Sequence, residues 1–389
     1  MKFAKLFFRG NFEDAYAYMG WLNCVSCDRV LAMYNLEYVA EQIDSARQPS
    51  GVASYCFARN DWLSTNQFRA LMRDEGCRTA FFNSVEKLLP QFEVEVSEGH
   101  SLRKTPLNLD ANVILDIMFY NSRLYLGAET GVFDADIDWR EIEIERQLHK
   151  RHDGKCLNLS GRLGMVNASC GNDGLFSAID DFGVLRPERR GFERTATRSV
   201  RSGWLGYLLA NYPSNNSVAF FHTSREVIGE PTDIESHEPQ IITGISNEPY
   251  ELGDFIRSTL ANQGVSDEDI QYSFNSSHLM FYYTFSSLFL SFHVRERRTG
   301  LTVNFKSTQK AEGRRILSAQ SLKNGSLIIE ADDRVFLFSN NIWHTLLSTG
   351  AISVRTFPRS KRFQNLIAIT TEEGVHLVCA IDDSDYLPS

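Results

Sequence analysis

Six arginines, Arg186, Arg189, Arg190, Arg194, Arg198 and Arg201, fall within sixteen residues, opposed only by Glu188 and Glu193. A guanidinium is a planar fork of donors matched to phosphate or carboxylate, so this density points to an anionic partner. Trp204, Tyr207 and Tyr212 follow directly, and aromatic rings beside arginines stack on nucleobases. Trp204 therefore joins the six arginines as a candidate contact. The competing reading makes Trp204-Leu205-Gly206-Tyr207-Leu208-Leu209 a strand, with the arginines pairing to acidic loops. Two further basic strings, Arg295 to Arg315 and Arg355 to Arg362, lie downstream.

Cys24-Val25-Ser26-Cys27 is the one CxxC in the chain. Structural zinc takes four ligands, usually as two such pairs. Cys24 and Cys27 are thus metal candidates that would need Cys56, Cys77 or His100 to complete a site, and buried reduced thiols are the alternative. His149 and His152 share an i, i+3 spacing without an accompanying HExxH base, next to the acidic run 134–145. Neither a GxSxG nucleophile elbow nor a GxxxxGK[ST] phosphate loop occurs. No catalytic residue and no cofactor is assigned.

What must hold these residues is a repeated hairpin. A short apolar strand runs into a polar turn, often ending in Gly, and a second strand opens with Val or Leu. Leu124-Tyr125-Leu126-Gly127-Ala128-Glu129-Thr130-Gly131-Val132-Phe133 and the segment from Met165 to Phe176 are clear copies. The segments from Leu327 to Phe338 and from Ile367 to Val378 match each other closely, and weaker copies begin at Asn23, Val218 and Met280. The first apolar residues after the turns are Val30, Val132, Leu175, Val227, Leu288, Val335 and Val375, separated by 102, 43, 52, 61, 47 and 40 residues. Apart from the first, these intervals suit one four-stranded propeller blade each. The expected fold is therefore all-β: a single β-propeller domain over 1–389, with seven blades and a strand at 2–8 closing the ring beside 375–381. The long first interval reads as a partly helical insertion at 37–109, with helical spacing at 36–46, 65–73 and 81–89. A small separate domain, or an irregular blade around Ser54 to Ala58, is the alternative. The segment 229–254 reads as an exposed acidic loop.

The hairpins and their period resemble the WD40-like seven-bladed propeller superfamily over about 110–389 and the amino-terminal start. Its Trp-Asp dipeptide is absent, and a reversed pair occurs at Asp138-Trp139.

The net charge of −9 and pI near 5.6 argue against wholesale attraction to nucleic acid or anionic membrane, while leaving room for a local basic face. No stretch is apolar for the length a membrane span needs, the amino terminus has too short an apolar run for a signal peptide, and a cytoplasmic location is expected. These features predict a non-catalytic scaffold or adaptor subunit for protein partners in a larger complex. A nucleic-acid-associated protein using 186–201, and a hydrolase or lyase with a central-channel site, are the alternatives.

Overall fold

The computed structural model describes every residue except 48–50, 89–91, 95–101, 112, 140, 142, 145–146, 181–190, 228–239, 251, 277–278, 298–299, 311–314, 341, 383–385 and 387–389. The fold is a seven-bladed β-propeller made of consecutive antiparallel sheets. Its blades group into two compact units, Met1–Asn108 with Ile316–Ser389, and Leu109–Arg315.

The first unit holds blades 1, 6 and 7. Blade 1 is Phe12–Tyr18, Trp21–Ser26, Val30–Asn35 and Leu102–Pro106, and blade 6 is Ile316–Ser321, Leu327–Ala331, Arg334–Ser339 and Ile342–Leu347. Blade 7 takes Ser353–Thr356, Leu366–Thr371 and Gly374–Ile381 from the end of the chain and Lys2–Arg9 from its beginning. Lys2 lies opposite Ile381 and Arg9 opposite Gly374 in an unbroken antiparallel ladder.

The second unit holds blades 2 to 5. Blade 2 is Ile114–Tyr120, Arg123–Ala128, Gly131–Asp138 and His149–Asp153; blade 3 is Asn158–Arg162, Met165–Ser169, Leu175–Ile179 and Glu193–Ala196. Blade 4 is Arg201–Leu205, Leu208–Ser214 and Ser217–Phe221, with Tyr250 bridged to Phe220 and a separate hairpin, Thr223–Val227 with Gln240–Ile245. Blade 5 is Ile270–Ser276, Leu279–Thr284, Leu288–Arg297 and Gly300–Lys310.

The burial pattern explains the sequence pattern. The second and third strands of a blade are covered on both faces by neighbouring sheets, so they read as continuous apolar runs rather than alternations. All six residues of Leu366–Thr371 are buried, whereas the fourth strands Glu193–Ala196 and Ile342–Leu347 are half exposed. Glycine opens the third strand in blades 2 and 7 and immediately precedes it in blade 3, for a shared steric reason. Gly131, Gly174 and Gly374 have φ of 156°, 120° and 155°. A β-carbon there would strike the carbonyl oxygen of His152, Ala196 or Phe8, respectively, on the adjoining fourth strand.

The elements between Val30–Asn35 and Leu102–Pro106 are α1 (Leu36–Arg47), a π-helical turn at Ser54–Ala58, a 3-10 turn at Asn60–Ser64, α2 (Asn66–Arg73), α3 (Glu75–Leu88) and a short strand at Phe92–Glu93. They are not a separate domain. Val39, Ile43, Phe57, Phe68, Met72 and Val85 share one core with Leu6 and Phe8 of blade 7 and Leu22 of blade 1. The expected insertion ran to 109, but Leu102–Pro106 is the fourth strand of blade 1, pairing Leu102 with Tyr34 and Pro106 with Val30. Ser54 to Ala58, the alternative eighth blade, is helical.

Two further expectations are corrected. The hairpin placed around Val218 to Val227 lies one strand earlier: Leu208–Ser214 turns at 215–216 into Ser217–Phe221. Pro213 masked the earlier strand, since proline removes a ladder donor and reads as a strand breaker. Within the segment expected to be an exposed loop, Gln240–Ile245 forms a strand and α4 (Leu252–Asn262) begins, burying Ile256 and Leu260 in the core of blades 4 and 5.

Candidate functional site

Departures from the blade repeat fall repeatedly at the connection between third and fourth strands. In blade 1 this connection is the helical elaboration, in blade 3 it is 180–192, and in blade 4 it carries the Thr223–Ile245 hairpin. Such connections tolerate insertion because they leave the ladders of the two central strands intact, and they are where binding groups accumulate on a rigid scaffold.

The structure sets exposed Arg194 and Arg198 apart from half-buried Arg201. Arg186, Arg189 and Arg190 lie outside the described residues. Arg194 is exposed on the fourth strand of blade 3 and donates to the Thr197 carbonyl at 3.4 Å. Arg198 is exposed in the connection to blade 4, where its carbonyl accepts from Asn211 Nδ2 at 3.0 Å.

Arg201 is half-buried and Trp204 is buried. The Arg201 guanidinium lies 4.3 Å from the Tyr212 ring and 4.2 Å from that of Tyr272, and donates to the Ser273 carbonyl. It rivets blade 4 to blade 5 by cation–π contact. Trp204 is 3% exposed and packs with Met165, Leu175, Leu209, Phe221 and Ile242. Its neighbour Tyr207 stacks against Arg225, 3.9 Å from the ring centroid, with Arg162 at 5.3 Å. The sequence offered no signal for that pairing, since the three residues come from different strands and connections.

Cys24 and Cys27 diverge. Cys24 is fully buried in the second strand of blade 1, and burial pushes its thiol well above the usual range. Cys27 is exposed in the following turn, with its thiol 3.2 Å from Asn11 Oδ1. Among the described residues no cluster of three or more Cys, His, Asp or Glu is placed to hold a metal ion. Cys56 and Cys379 form a hydrogen-bonded thiol pair; that bond and burial push the Cys56 thiol up.

Three buried carboxylates key blades together, and a fourth ties strands within one blade. Asp14 of blade 1 binds Ser353 and Arg355 of blade 7. Asp116 of blade 2 accepts from the Leu159 amide at 2.5 Å and from Asn158 Nδ2 at 3.0 Å, both in blade 3. Asp134 holds Arg151 at 2.9 Å within blade 2. Asp180, following the third strand of blade 3, takes the Tyr125 hydroxyl at 2.6 Å and Arg123 at 2.9 Å, both from blade 2. Burial raises the Asp180 carboxyl despite these partners, and burial beside Asp180 pushes the Tyr125 hydroxyl up.

The helical elaboration of blade 1 is fastened at several points. Arg362, in the loop after the first strand of blade 7, donates Nε to the Ala58 carbonyl at 2.7 Å and a terminal nitrogen to Glu37 at 2.5 Å. Arg59 approaches the same Glu37 oxygen at 3.6 Å. Gly20 has a φ of 92°, and its missing side chain leaves room for the Arg362 guanidinium. Fully buried Asn60 donates to the Cys56 carbonyl at 3.1 Å and to Cys379 Sγ at 3.2 Å, and accepts from the Asn365 amide at 3.0 Å. The Tyr386 hydroxyl donates to the Leu63 carbonyl at 2.8 Å. Held this way, the elaboration presents Tyr38, Trp62 and Leu71 to solvent, at 38%, 38% and 52% exposure. Large apolar groups on a rigid base, with arginine beside them, have the composition of a protein-binding surface.

No protein-family profile matches the chain, and neither does any curated protein. Solved structures resemble it in fold. The WD40 β-propeller domain of Doa1 superposes with a TM-score of 0.48 at 9% identity, covering 99% of both chains. A chain of the mitotic checkpoint complex gives 0.39 at 12% identity, covering 67% of this chain and 74% of its own. The Cps50 (Swd1) β-propeller domain, labelled Myceliophteria thermophila, gives 0.39 at 10% identity over 69% of this chain and 97% of its own. At these identities the likeness is one of fold alone.

Proposed function

We propose that this propeller is a non-catalytic scaffold that holds a protein partner through the helical elaboration of blade 1. The observation that carries this reading is the pairing of a firmly anchored base with exposed Tyr38, Trp62 and Leu71. Anchoring through Arg362, Asn60 and Tyr386 reduces the ordering cost of association, and a tryptophan on a pre-ordered surface is the side chain that most often dominates an interface. Buried Asp14, Asp116, Asp134 and Asp180 support the same reading, since each is engaged with donors that join strands and blades.

The test is affinity purification of the tagged full chain from its native host, beside a Trp62→Ala/Leu71→Ala variant whose thermal unfolding matches wild type. A stoichiometric protein that accompanies wild type and is lost from the variant is the expected result. Retention of that protein by the variant, or nucleic acid as the sole accompanying macromolecule, overturns the reading.

A further inference from the structure

We infer that the surface of α2 takes an acidic segment of a protein partner, a segment that carries carboxylates together with at least one large apolar anchor. This deepens the scaffold reading and rests on it.

α2 is capped by Thr65, whose hydroxyl accepts from the Phe68 amide at 3.1 Å. Its inner face is Phe68 and Met72, both buried. The Phe68 ring lies 5.7 Å from Tyr55, 5.2 Å from Phe81 and 5.6 Å from Tyr386, so the orientation of the helix about its axis is set by a solid aromatic contact. That orientation decides what faces out. Arg69 and Arg73, one helical turn apart, occupy one flank; Leu71 occupies the other; and Ala70 lies between them at the crest. The small side chain of Ala70 lets a partner backbone approach closely enough to reach both flanks.

Charge complementarity selects the partner. The other guanidiniums of this region are engaged: Arg59 and Arg362 with Glu37, and Arg78 with the Met72 carbonyl at 3.2 Å. Arg69 and Arg73 are exposed, and neither side chain makes an ion pair or hydrogen bond among the described residues. Two like charges at i, i+4 without an intervening acid disfavour the helix slightly. Within Asn66–Arg73 they are the only charges, and exposed Asp74 and Glu75 follow where the helix ends. Carboxylates from a partner pair with both through charge-assisted bonds, while Leu71 on the other flank receives its apolar anchor.

The probe is a fluorescein-labelled twelve-residue peptide of alternating Glu and Leu/Phe, read by fluorescence polarisation against the full chain, with a Lys-for-Glu peptide as control. Expected are binding of the acidic peptide alone, weakening as NaCl rises, a loss of roughly tenfold or more in Arg69→Glu/Arg73→Glu, and near-wild-type binding in Arg69→Lys/Arg73→Lys. Absence of acidic-peptide binding at low salt, equal binding of the lysine peptide, or indifference to the charge reversal overturns the proposal. So does tighter binding of a 20-mer single-stranded DNA or of phosphatidylserine vesicles through the same two arginines. If Trp62→Ala/Leu71→Ala sheds the co-purifying partner while Arg69→Glu/Arg73→Glu keeps it, the acidic-segment inference fails and the scaffold reading stands. If neither variant sheds it, both fail.

Discussion

Replacing Asp14 by alanine should destabilise the first unit more than any surface substitution. Asp14 is 5% exposed on the first strand of blade 1 and faces the first strand of blade 7. One carboxylate oxygen accepts from the Ala15 amide at 2.9 Å, from Ser353 Oγ at 2.7 Å and from Arg355 Nε at 3.2 Å; the other accepts from a terminal nitrogen of Arg355. The Arg355 side chain is only 19% exposed, so removing Asp14 takes its buried carboxylate away from the junction of two blades. Breaking a buried pair from one side costs about 3–5 kcal/mol. Removing both charges in Asp14→Leu/Arg355→Met trades the pair for apolar packing, which is often close to neutral. Urea unfolding followed by tryptophan fluorescence supplies the four free energies of a double-mutant cycle. The expected pattern is a large loss for Asp14→Ala, a smaller one for Asp14→Asn, which still accepts from Ser353, and recovery in the double variant. A loss below about 1 kcal/mol for Asp14→Ala, the ceiling for an exposed pair, or a double variant weaker than the single, would refute the reasoning.

Gly374→Ala should cost more than about 1 kcal/mol, because its φ of 155° and the nearby Phe8 carbonyl leave no room for a β-carbon; an unchanged melting temperature would contradict it. Asp180→Asn tests acid-range linkage. Burial raises the Asp180 carboxyl in the folded chain, so its contribution is fully present below the unfolded value near ~4 and is lost as pH rises through the folded value. The stability of wild type relative to Asp180→Asn should therefore fall across that window, and a rise would refute the assignment. His376 has the opposite sign. Burial and nearby Lys5 lower it against the Phe7 ring, 4.7 Å away. Its contribution is present above the unfolded value near ~6.5 and is lost as pH falls through the folded value. His376→Phe should flatten that part of the pH–stability curve, and an unaltered curve would count against it.

The sequence by itself determined the repeat. Paired apolar strands such as Leu124–Ala128 with Val132, or Ile367–Thr370 with Val375, are legible because a strand covered on both faces must be apolar throughout and its turn must carry Gly or polar residues. The helices of the elaboration were equally legible, since Phe68 and Met72 recur at helical spacing. The closing strand could be anticipated from a short apolar segment at the start of the chain; its register against Gly374–Ile381 is a property of the folded sheet. Only the tertiary structure decided which charges are exposed. Arg201 and Arg194 are alike in sequence, yet one is held between two tyrosines from neighbouring blades and the other faces solvent. Likewise, Arg362 and Arg69 differ in their surroundings because Glu37 lies beside the first and no carboxylate among the described residues reaches the second. Local pattern records burial through periodicity, but an ion pair such as Arg362 with Glu37 joins residues hundreds of positions apart, and no local spacing encodes that distance.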